Sequence, residues 1–266
     1  MGRRPTALVL ILPLTLLAAC VPQPLAVTRE PVNLRLAGST TSAHIAETLA
    51  GAYEASHPWV NVAVIEDLND RLVKDRLHTG STDLALLAGL GEETAGADLW
   101  SAPIAQDGIA VIAHPTTPIT ETGIAFLQEI FRGRVQEWNG AVLNVVSREE
   151  GSGIRASFER LVLGERETTL TAVVMPSDEA IIEYIVQTPN TIGYVSTLSL
   201  GDEDSVRVLP VEGIRPTGES VRDGTYPLLR QLHLASAGEP TDGARTFAQW
   251  ALGREGAAVI RELSAR

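Results

Sequence analysis

The fold is decided by residues 32–65, VNLRLAGSTTSAHIAETLAGAYEASHPWVNVAVI. Val32–Leu36 and Val60–Ile65 alternate apolar and polar residues, which is typical of β-strands. Between them, large apolar residues recur every four positions from Ile45 to Tyr53, as on one face of an α-helix. A strand, a helix and a second strand in this order predict a parallel βαβ unit.

The same alternation continues along the chain and predicts an α/β fold. Hydrophobic residues make up 44% of the sequence, which argues against disorder. We interpret Asp107 and Gly108 as a turn before a crossing strand. The other predicted strands are Asp83–Leu87, Ile109–Ala113, Leu143–Val146, Ala172–Val174, Thr191–Val195 and Val206–Leu209, and the other predicted helices are Leu68–Leu77, Thr122–Phe131 and Asp242–Leu263.

The N-terminus has the layout of an export signal. The pair Arg3–Arg4 precedes an apolar run, Ala7–Leu14, that is too short to span a membrane as a helix. Small residues then lead to Cys20, the only cysteine of the chain, and this arrangement resembles the lipobox of bacterial lipoproteins. The alternative is an ordinary signal peptide with an accidental cysteine. The predicted segments are a signal peptide (residues 1–19) and a tether (residues 20–31) with lipid on Cys20, which anchors the protein at the extracytoplasmic face of the cell membrane.

Charge and composition narrow the function. The formal net charge is −12, which argues against nucleic acid or an anionic membrane surface as a partner. The five histidines are scattered without a pair at metal-ligand spacing, so we expect no metal site and no cofactor. A single cysteine leaves no disulfide within one chain. Separately, we expect the protein to be a monomer.

Two strand-to-helix junctions share one physical design. Leu36–Ser42 and Val146–Ile154 each pass from a strand through glycine and hydroxyl residues into a helix. The first N–H groups of a helix are unpaired and positively polarised, so such a start suits an oxyanion. Arg148 can add a bidentate contact. The alternative is plain helix capping, because Ser and Thr are favoured caps and glycine is common in turns. The residues alone leave both interpretations open.

Several segments, in order along nearly all of the exported chain, resemble the phosphate-binding proteins of bacterial phosphate ABC transporters. This chain is similar to a divergent member of that family. The segments that carry the resemblance are Ala37–Thr41, Ala102–Val111, Ile130–Gly133 with Trp138, Ser147–Gly153, Asn190–Val195, Pro216–Thr217 and Tyr226–Leu228.

The resemblance implies a type II periplasmic-binding-protein fold. Each of its two lobes has a mixed, mainly parallel sheet flanked by helices, and the ligand lies in the cleft between them. Residues 32–108 plus 203–266 would form the first lobe, and residues 109–202 the second. The implied ligand-binding residues are Ser39, Thr40, Thr41 and Asn69 from the first lobe and Arg148, Ser152, Gly153 and Ile154 from the second.

Three departures from the family pattern bear on the ligand. The loop after the second strand, Glu66–Asp70, is acidic where the family is rich in glycine and serine. Ala88 stands where the family commonly has a carboxylate that accepts the proton of hydrogen phosphate, and Ile154 stands where a threonine is usual. Carboxylates near an anion repel it unless they accept a proton. Asp67 or Asp70 could take over this role, or could be solvated in a cleft that no longer binds phosphate well.

These expectations lead to one main hypothesis of function. It is a lipid-anchored solute-binding protein that captures inorganic phosphate and delivers it to an ABC transporter permease. The alternatives are a binder of another oxyanion, such as sulfate or molybdate, and a ligand-less sensor or scaffold. In the last case Arg148 would be paired with Asp67 or Asp70. We do not expect an enzyme, because Ser152 lacks the Gly-x-Ser-x-Gly context of many serine hydrolases.

Overall fold

The computed structural model describes residues 30–88, 99–164, 166–200 and 205–263. The predicted signal peptide, Cys20 and most of the tether lie outside the described residues. Pro31–Arg266 forms one compact unit. The strands are β1 (Val32–Ser39), β2 (Val60–Asp67), β3 (Leu84–Leu87), β4 (Trp100–Ala113), β5 (Glu137–Trp138), β6 (Ala141–Val142), β7 (Asn144–Arg148), β8 (Val173–Met175), β9 (Thr191–Ser196), β10 (Arg207–Leu209) and β11 (Leu229–Ser236).

Helices separate most of these strands, as the alternating pattern predicts. No helix among the described residues is both long and apolar enough to cross a membrane. The helices are α1 (Ala43–Ser56), α2 (Asp70–His78), α3 (Ile124–Phe131), α4 (Gly153–Phe158), α5 (Asp178–Gln187), α6 (Gly218–Arg222), α7 (Asp242–Ala251) and α8 (Arg254–Leu263), and a π-helical turn (Glu159–Leu163) continues α4.

The main sheet has the strand order β2-β1-β3-β11-β4-β9-β7-β8, and β10 pairs with β4 off this path. At one side β1 runs parallel to both β2 and β3, and at the other β7 runs parallel to both β8 and β9. Between these two parallel groups, β4 pairs antiparallel with β11 and β9. The predicted α/β fold with two lobes is confirmed.

Strand β4 passes from one lobe to the other. Its first part, up to Gly108, pairs with β11, and Ile109–Ala113 pairs with β9. The predicted turn at Asp107 and Gly108 is therefore wrong, because the strand runs straight through both residues. Asp107 is accommodated inside the sheet because Arg230 on β11 pairs with its carboxylate, at 2.7 Å between Nε and Oδ2.

Separate hydrophobic clusters fill the two lobes. In the first, α1 and α7 pack on β1, with Tyr53 against Phe247 at 5.0 Å between ring centroids. In the second, Phe158 stacks on Tyr194 at 4.0 Å. Buried residues between 206 and 228 belong to the clusters of this second lobe. The predicted lobe boundaries stay a prediction, and this packing favours a return to the first lobe near Leu229 instead of residue 203.

Other differences from the sequence prediction lie in helices and short strands. The predicted helix Asp242–Leu263 is two helices, α7 and α8, because the chain turns at Leu252 and Gly253. Helix α5 and strand β11 were missed. Helix α5 buries Ile181 and Ile185, the four-residue spacing that marks a helix.

Candidate functional site

Arg148 is the centre of the candidate site. It ends β7, and only 1% of its side chain is exposed. Burial alone would lower its pKa, but the carboxylates of Asp178 and Glu149 outweigh this effect and raise its pKa. The guanidinium has five N–H groups. Its Nε donates to Glu149 Oε2 (3.0 Å), and its Nη1 donates to Asp178 Oδ1 (2.6 Å) and Thr41 Oγ1 (3.2 Å). Its Nη2 lies within hydrogen-bond distance of Thr40 Oγ1 (2.9 Å), the Pro176 carbonyl (2.9 Å) and Glu149 Oε1 (3.3 Å).

The contacts of Arg148 with Thr40 and Thr41 join the two lobes. Both threonines follow β1, more than one hundred residues before Arg148 in the chain. In each contact the threonine oxygen accepts a hydrogen bond from the guanidinium. The Thr40 hydroxyl donates to the Leu68 carbonyl at 3.3 Å, whereas the hydroxyl hydrogen of Thr41 has no acceptor among the described residues. The structure therefore brings three predicted site residues together, with groups from both lobes that can donate to an anion.

Asp178 connects Arg148 to the strands that cross between the lobes. Its Oδ2 accepts hydrogen bonds from the Ser196 amide and the Ser199 hydroxyl, both at 2.9 Å. Ser196 in turn donates through its hydroxyl to Asp107, at 2.8 Å. Because Asp107 pairs with Arg230, a continuous buried polar network runs from Arg148 to β4 and β11.

The first-lobe junction uses its polar groups differently from the prediction. The Thr40 amide donates to the Asp67 carbonyl at 3.0 Å, so this amide is not available to a ligand. The Ser39 hydroxyl donates to Asp70 at 2.5 Å. The Thr41 amide has no acceptor among the described residues. Thr41, with its amide and hydroxyl, is therefore the main anion donor of this junction.

The second-lobe junction keeps its donors unpaired. Ser152 is 2% exposed, yet its Oγ has no hydrogen-bond partner among the described residues. The amides of Gly153 and Ile154, which open α4, also lack acceptors in that part of the chain. A cavity of about 390 Å³ adjoins this junction and is lined by Ser152 and Gly153. The cavity therefore adjoins a backbone N–H and a buried hydroxyl that have no partner among the described residues, and Arg148, Thr40 and Thr41 do not line it.

Plain capping does not explain the serines at these junctions. Ser42 and Ser152 precede α1 and α4, but neither side chain makes a capping hydrogen bond. By contrast, Asn69, Ser177 and Thr217 do cap α2, α5 and α6. The hydroxyl of Ser42 instead bonds across to the Leu86 carbonyl, at 3.0 Å. The capping alternative is therefore wrong for the side chains of these two serines.

Asn69 has a structural role besides its predicted ligand contact. Its side chain accepts from the Leu72 amide at 3.2 Å, which caps α2, and donates to the Glu150 carbonyl at 3.5 Å. The Arg71 amide donates to the Gly151 carbonyl, at 3.3 Å. These bonds join the start of α2 to the glycine-rich loop of the second lobe.

Neither carboxylate suggested as a replacement proton acceptor is paired with Arg148. Asp67 pairs with Arg76 on α2. Asp70 is 3% exposed and accepts from Ser39 and from the Ala88 amide, the latter at 2.6 Å. Both oxygens of Asp70 thus hold the ends of β1 and β3 together. The carboxylates that do contact Arg148 are Glu149 and Asp178.

Asp178 was missed because helix α5 was missed. The pair Ser177–Asp178 before Ile181 and Ile185 is a helix-start signal that could have located the element. No signal in the sequence indicates that this carboxylate turns toward Arg148. Among the described residues, no group of three His, Cys, Asp or Glu side chains is placed to hold a metal ion.

Comparison with known proteins agrees with this geometry. The PBP superfamily domain matches residues 26–255. The phosphate-binding protein PstS of Bacillus subtilis is 28% identical over 149 residues, which covers 54% of this chain and 49% of that protein. The chain thus spans about half the length of this relative.

Two solved structures match over most of the chain. A phosphate ABC transporter substrate-binding protein with bound phosphate from Clostridium perfringens has a TM-score of 0.79 and 26% identity, and covers 87% of this chain and 98% of its own. An ABC-type phosphate transport receptor from Vibrio cholerae has a TM-score of 0.73 and 26% identity, and covers 86% of this chain and 98% of its own. The resemblance to phosphate-binding proteins is confirmed, and the chain belongs to the PBP superfamily.

Proposed function

We propose that this protein captures phosphate outside the cytoplasm and delivers it to an ABC transporter permease. The observation that carries the proposal is the meeting of Arg148 with Thr40 and Thr41 across the lobes. Four residues after Arg148 in the chain, the Ser152 hydroxyl has no partner among the described residues. All of these groups can donate hydrogen bonds to a tetrahedral oxyanion. The match to phosphate-binding relatives supports phosphate as that oxyanion.

Binding requires Arg148 to exchange partners. Its N–H groups that now reach Thr40 and Thr41 turn to the anion, and the Thr41 hydroxyl then donates to the anion as well. The Thr40 hydroxyl does so only by leaving the Leu68 carbonyl. Hydrogen bonds to charged groups contribute roughly 1.5–3 kcal/mol each, so a few of them can offset the desolvation of a small anion. Asp178 keeps the guanidinium in place during this exchange.

The proposal also includes a membrane location and a binding function without catalysis. Lipid on Cys20 would keep the protein at the membrane surface near the permease, and it would act as a monomer. Capture and release need only opening and closing of the lobes, so the proposal includes no catalysis. Another oxyanion, such as sulfate or molybdate, would use the same donors.

A second candidate function is the ligand-less sensor or scaffold. One observation favours it: protein atoms already accept from every nitrogen of the Arg148 guanidinium. Pairing of Arg148 with Asp67 or Asp70 would favour this alternative, but Arg148 pairs with Asp178 and Glu149 instead.

Equilibrium titration separates these possibilities. Residues 21–266 are titrated with phosphate, sulfate and molybdate by calorimetry, and Thr41→Val serves as a variant that keeps the shape of the side chain. We expect phosphate to bind with a Kd well below about 1 mM, and the variant to bind about tenfold more weakly. Failure of all three anions to bind at that level contradicts anion capture and favours the scaffold.

A further inference from the structure

The cavity beside Ser152 is larger than a phosphate ion requires, and this deepens the proposed function, on which it rests. We propose that the preferred ligand is a small phosphomonoester with a hydrophilic body. Its phosphoryl group lies at Ser152 and Gly153, and its body lies in the cavity between α2 and α4, within reach of Lys74.

The size of the cavity supports a ligand with more than five heavy atoms. Its volume of about 390 Å³ falls in the range of roughly 300–1,000 Å³ that is usual for small-molecule sites. Inorganic phosphate fills only a small part of such a space. The rest of the cavity extends from Ser152 along the start of α2, where Asp70, Arg71 and Lys74 line it.

The lining of the cavity requires a polar ligand body. Seven of its eleven residues carry ionisable side chains, and Ala156 is the only one with an apolar side chain. An aromatic or aliphatic substituent would leave these charges desolvated without partners, which is unfavourable. A body with hydroxyl or amino groups keeps them hydrogen-bonded.

Four of these charges are free to meet a ligand. Arg155 is paired with Glu159 at 2.9 Å, and Asp70 is held by Ser39 and Ala88. The side chains of Arg71 and Lys74 on α2, and of Glu150 and Glu167 on the second lobe, make no hydrogen bond or ion pair among the described residues, although Glu150 contributes to raising the pKa of Arg155. The cations on α2 suit hydroxyl oxygens of the body, and the carboxylates on the other wall suit its hydroxyl or amino donors.

The decisive measurement compares ligands that share the phosphoryl group. Residues 21–266 are titrated with inorganic phosphate, glycerol 3-phosphate, phosphoethanolamine and phenyl phosphate. We expect one or both hydrophilic esters to bind about tenfold more tightly than inorganic phosphate, and phenyl phosphate to bind more weakly than either. If inorganic phosphate binds as tightly as the esters, this inference is overturned and the proposed function stands. If no phosphoryl compound binds, both fail.

Substitution of Lys74 tests whether the body of the ester binds in the cavity. Lys74→Met should remove the preference for the ester while leaving inorganic phosphate binding within about twofold. Arg160→Met is the matched control, because this exposed cation lies outside the cavity and its loss changes the net charge equally. A preference that survives Lys74→Met, or disappears in Arg160→Met, contradicts the assignment of Lys74.

Lysine-directed labelling gives an independent readout. Lys74 is the only lysine of the chain, so an amine-reactive reagent can modify only this side chain and the N-terminus. Mass spectrometry should find Lys74 protected severalfold by the preferred ester and much less by inorganic phosphate at equal saturation. Equal protection by the two ligands would argue that the body does not occupy the cavity.

Discussion

Asp178 accepts a hydrogen bond from Arg148 at 2.6 Å, and the side chain of each residue is only 1% exposed. A charge buried this deeply is strongly unfavourable unless it is paired. The pair therefore fixes the guanidinium within the second lobe, so that Nη1 and Nη2 also reach Thr41 and Thr40 of the first. Through Ser196 the same carboxylate is linked to the strand that crosses between the lobes.

Removal of Arg148 should destabilise the protein strongly. Arg148→Met leaves Asp178 buried without its cation, and loss of one partner of a buried pair costs about 3–5 kcal/mol. Arg35→Met is the matched control, because the pair of Arg35 and Asp83 is partly exposed to solvent. We expect that variant to change stability by only about 0–1 kcal/mol. Urea denaturation of both variants measures the difference.

A double variant tests whether the pair itself is responsible. Arg148→Met with Asp178→Leu removes both charges, and replacement of a whole buried pair by apolar residues is often close to neutral. We expect the double variant to be clearly more stable than Arg148→Met alone. If the losses of stability from the two single substitutions instead add up in the double variant, the two charges do not stabilise each other.

Ser152→Ala should separate binding from stability. Its hydroxyl is buried without a partner among the described residues, so removing it should leave the free energy of unfolding unchanged or slightly higher. Phosphate affinity should fall by about tenfold, because one donor to the anion is lost. Calorimetry and urea denaturation on the same samples give both quantities.

Ser147→Ala is the matched control for that variant. The Ser147 hydroxyl is also buried, but it bonds to the Tyr194 hydroxyl at 2.8 Å instead of facing the cavity. We expect about 1 kcal/mol of lost stability and little change in phosphate affinity. If Ser152→Ala instead lost stability and kept its phosphate affinity, Ser152 would be an ordinary core serine.

The sequence predicts which segments form the site better than it predicts their hydrogen-bond partners. Residues 36–42 and 146–154 could be placed correctly because glycine and hydroxyl residues between a strand and a helix are a local signal. The partners of Arg148 depend on residues up to about one hundred positions away, and local patterns carry no such information. Asp107 was interpreted as a turn residue for the same reason, because its partner Arg230 is distant in the chain.

Stability should fall as the solution becomes mildly acidic, in part through His233. Burial lowers the pKa of its half-buried imidazole below the usual 6.5, and its Nδ1 has no partner among the described residues. The unfolded chain therefore takes up a proton first as the pH falls through about 6.5, and stability is lost from there down to the folded-state pKa. His233→Leu should remove this part of the pH dependence, which denaturation between pH 5 and 8 would detect; an unchanged profile would contradict it.

Gly151 should be required for the two lobes to approach each other. Its φ is +89°, and an added Cβ would lie 3.2 Å from both Arg71 Cβ and Asn69 Oδ1 of the first lobe. Gly164 has a φ of +67° with no atom within 4 Å of an added Cβ, so Gly164→Ala imposes backbone strain alone. Each alanine variant should lose at least about 1–2 kcal/mol of stability, because a side chain is disfavoured at these positive φ values. Only Gly151→Ala should also weaken phosphate binding, by about tenfold, because the new methyl group separates α2 from the loop that carries Ser152. Calorimetric titration decides this, and equal phosphate affinities in the two variants would mean that the contact of Gly151 with α2 has no part in closure around the ligand.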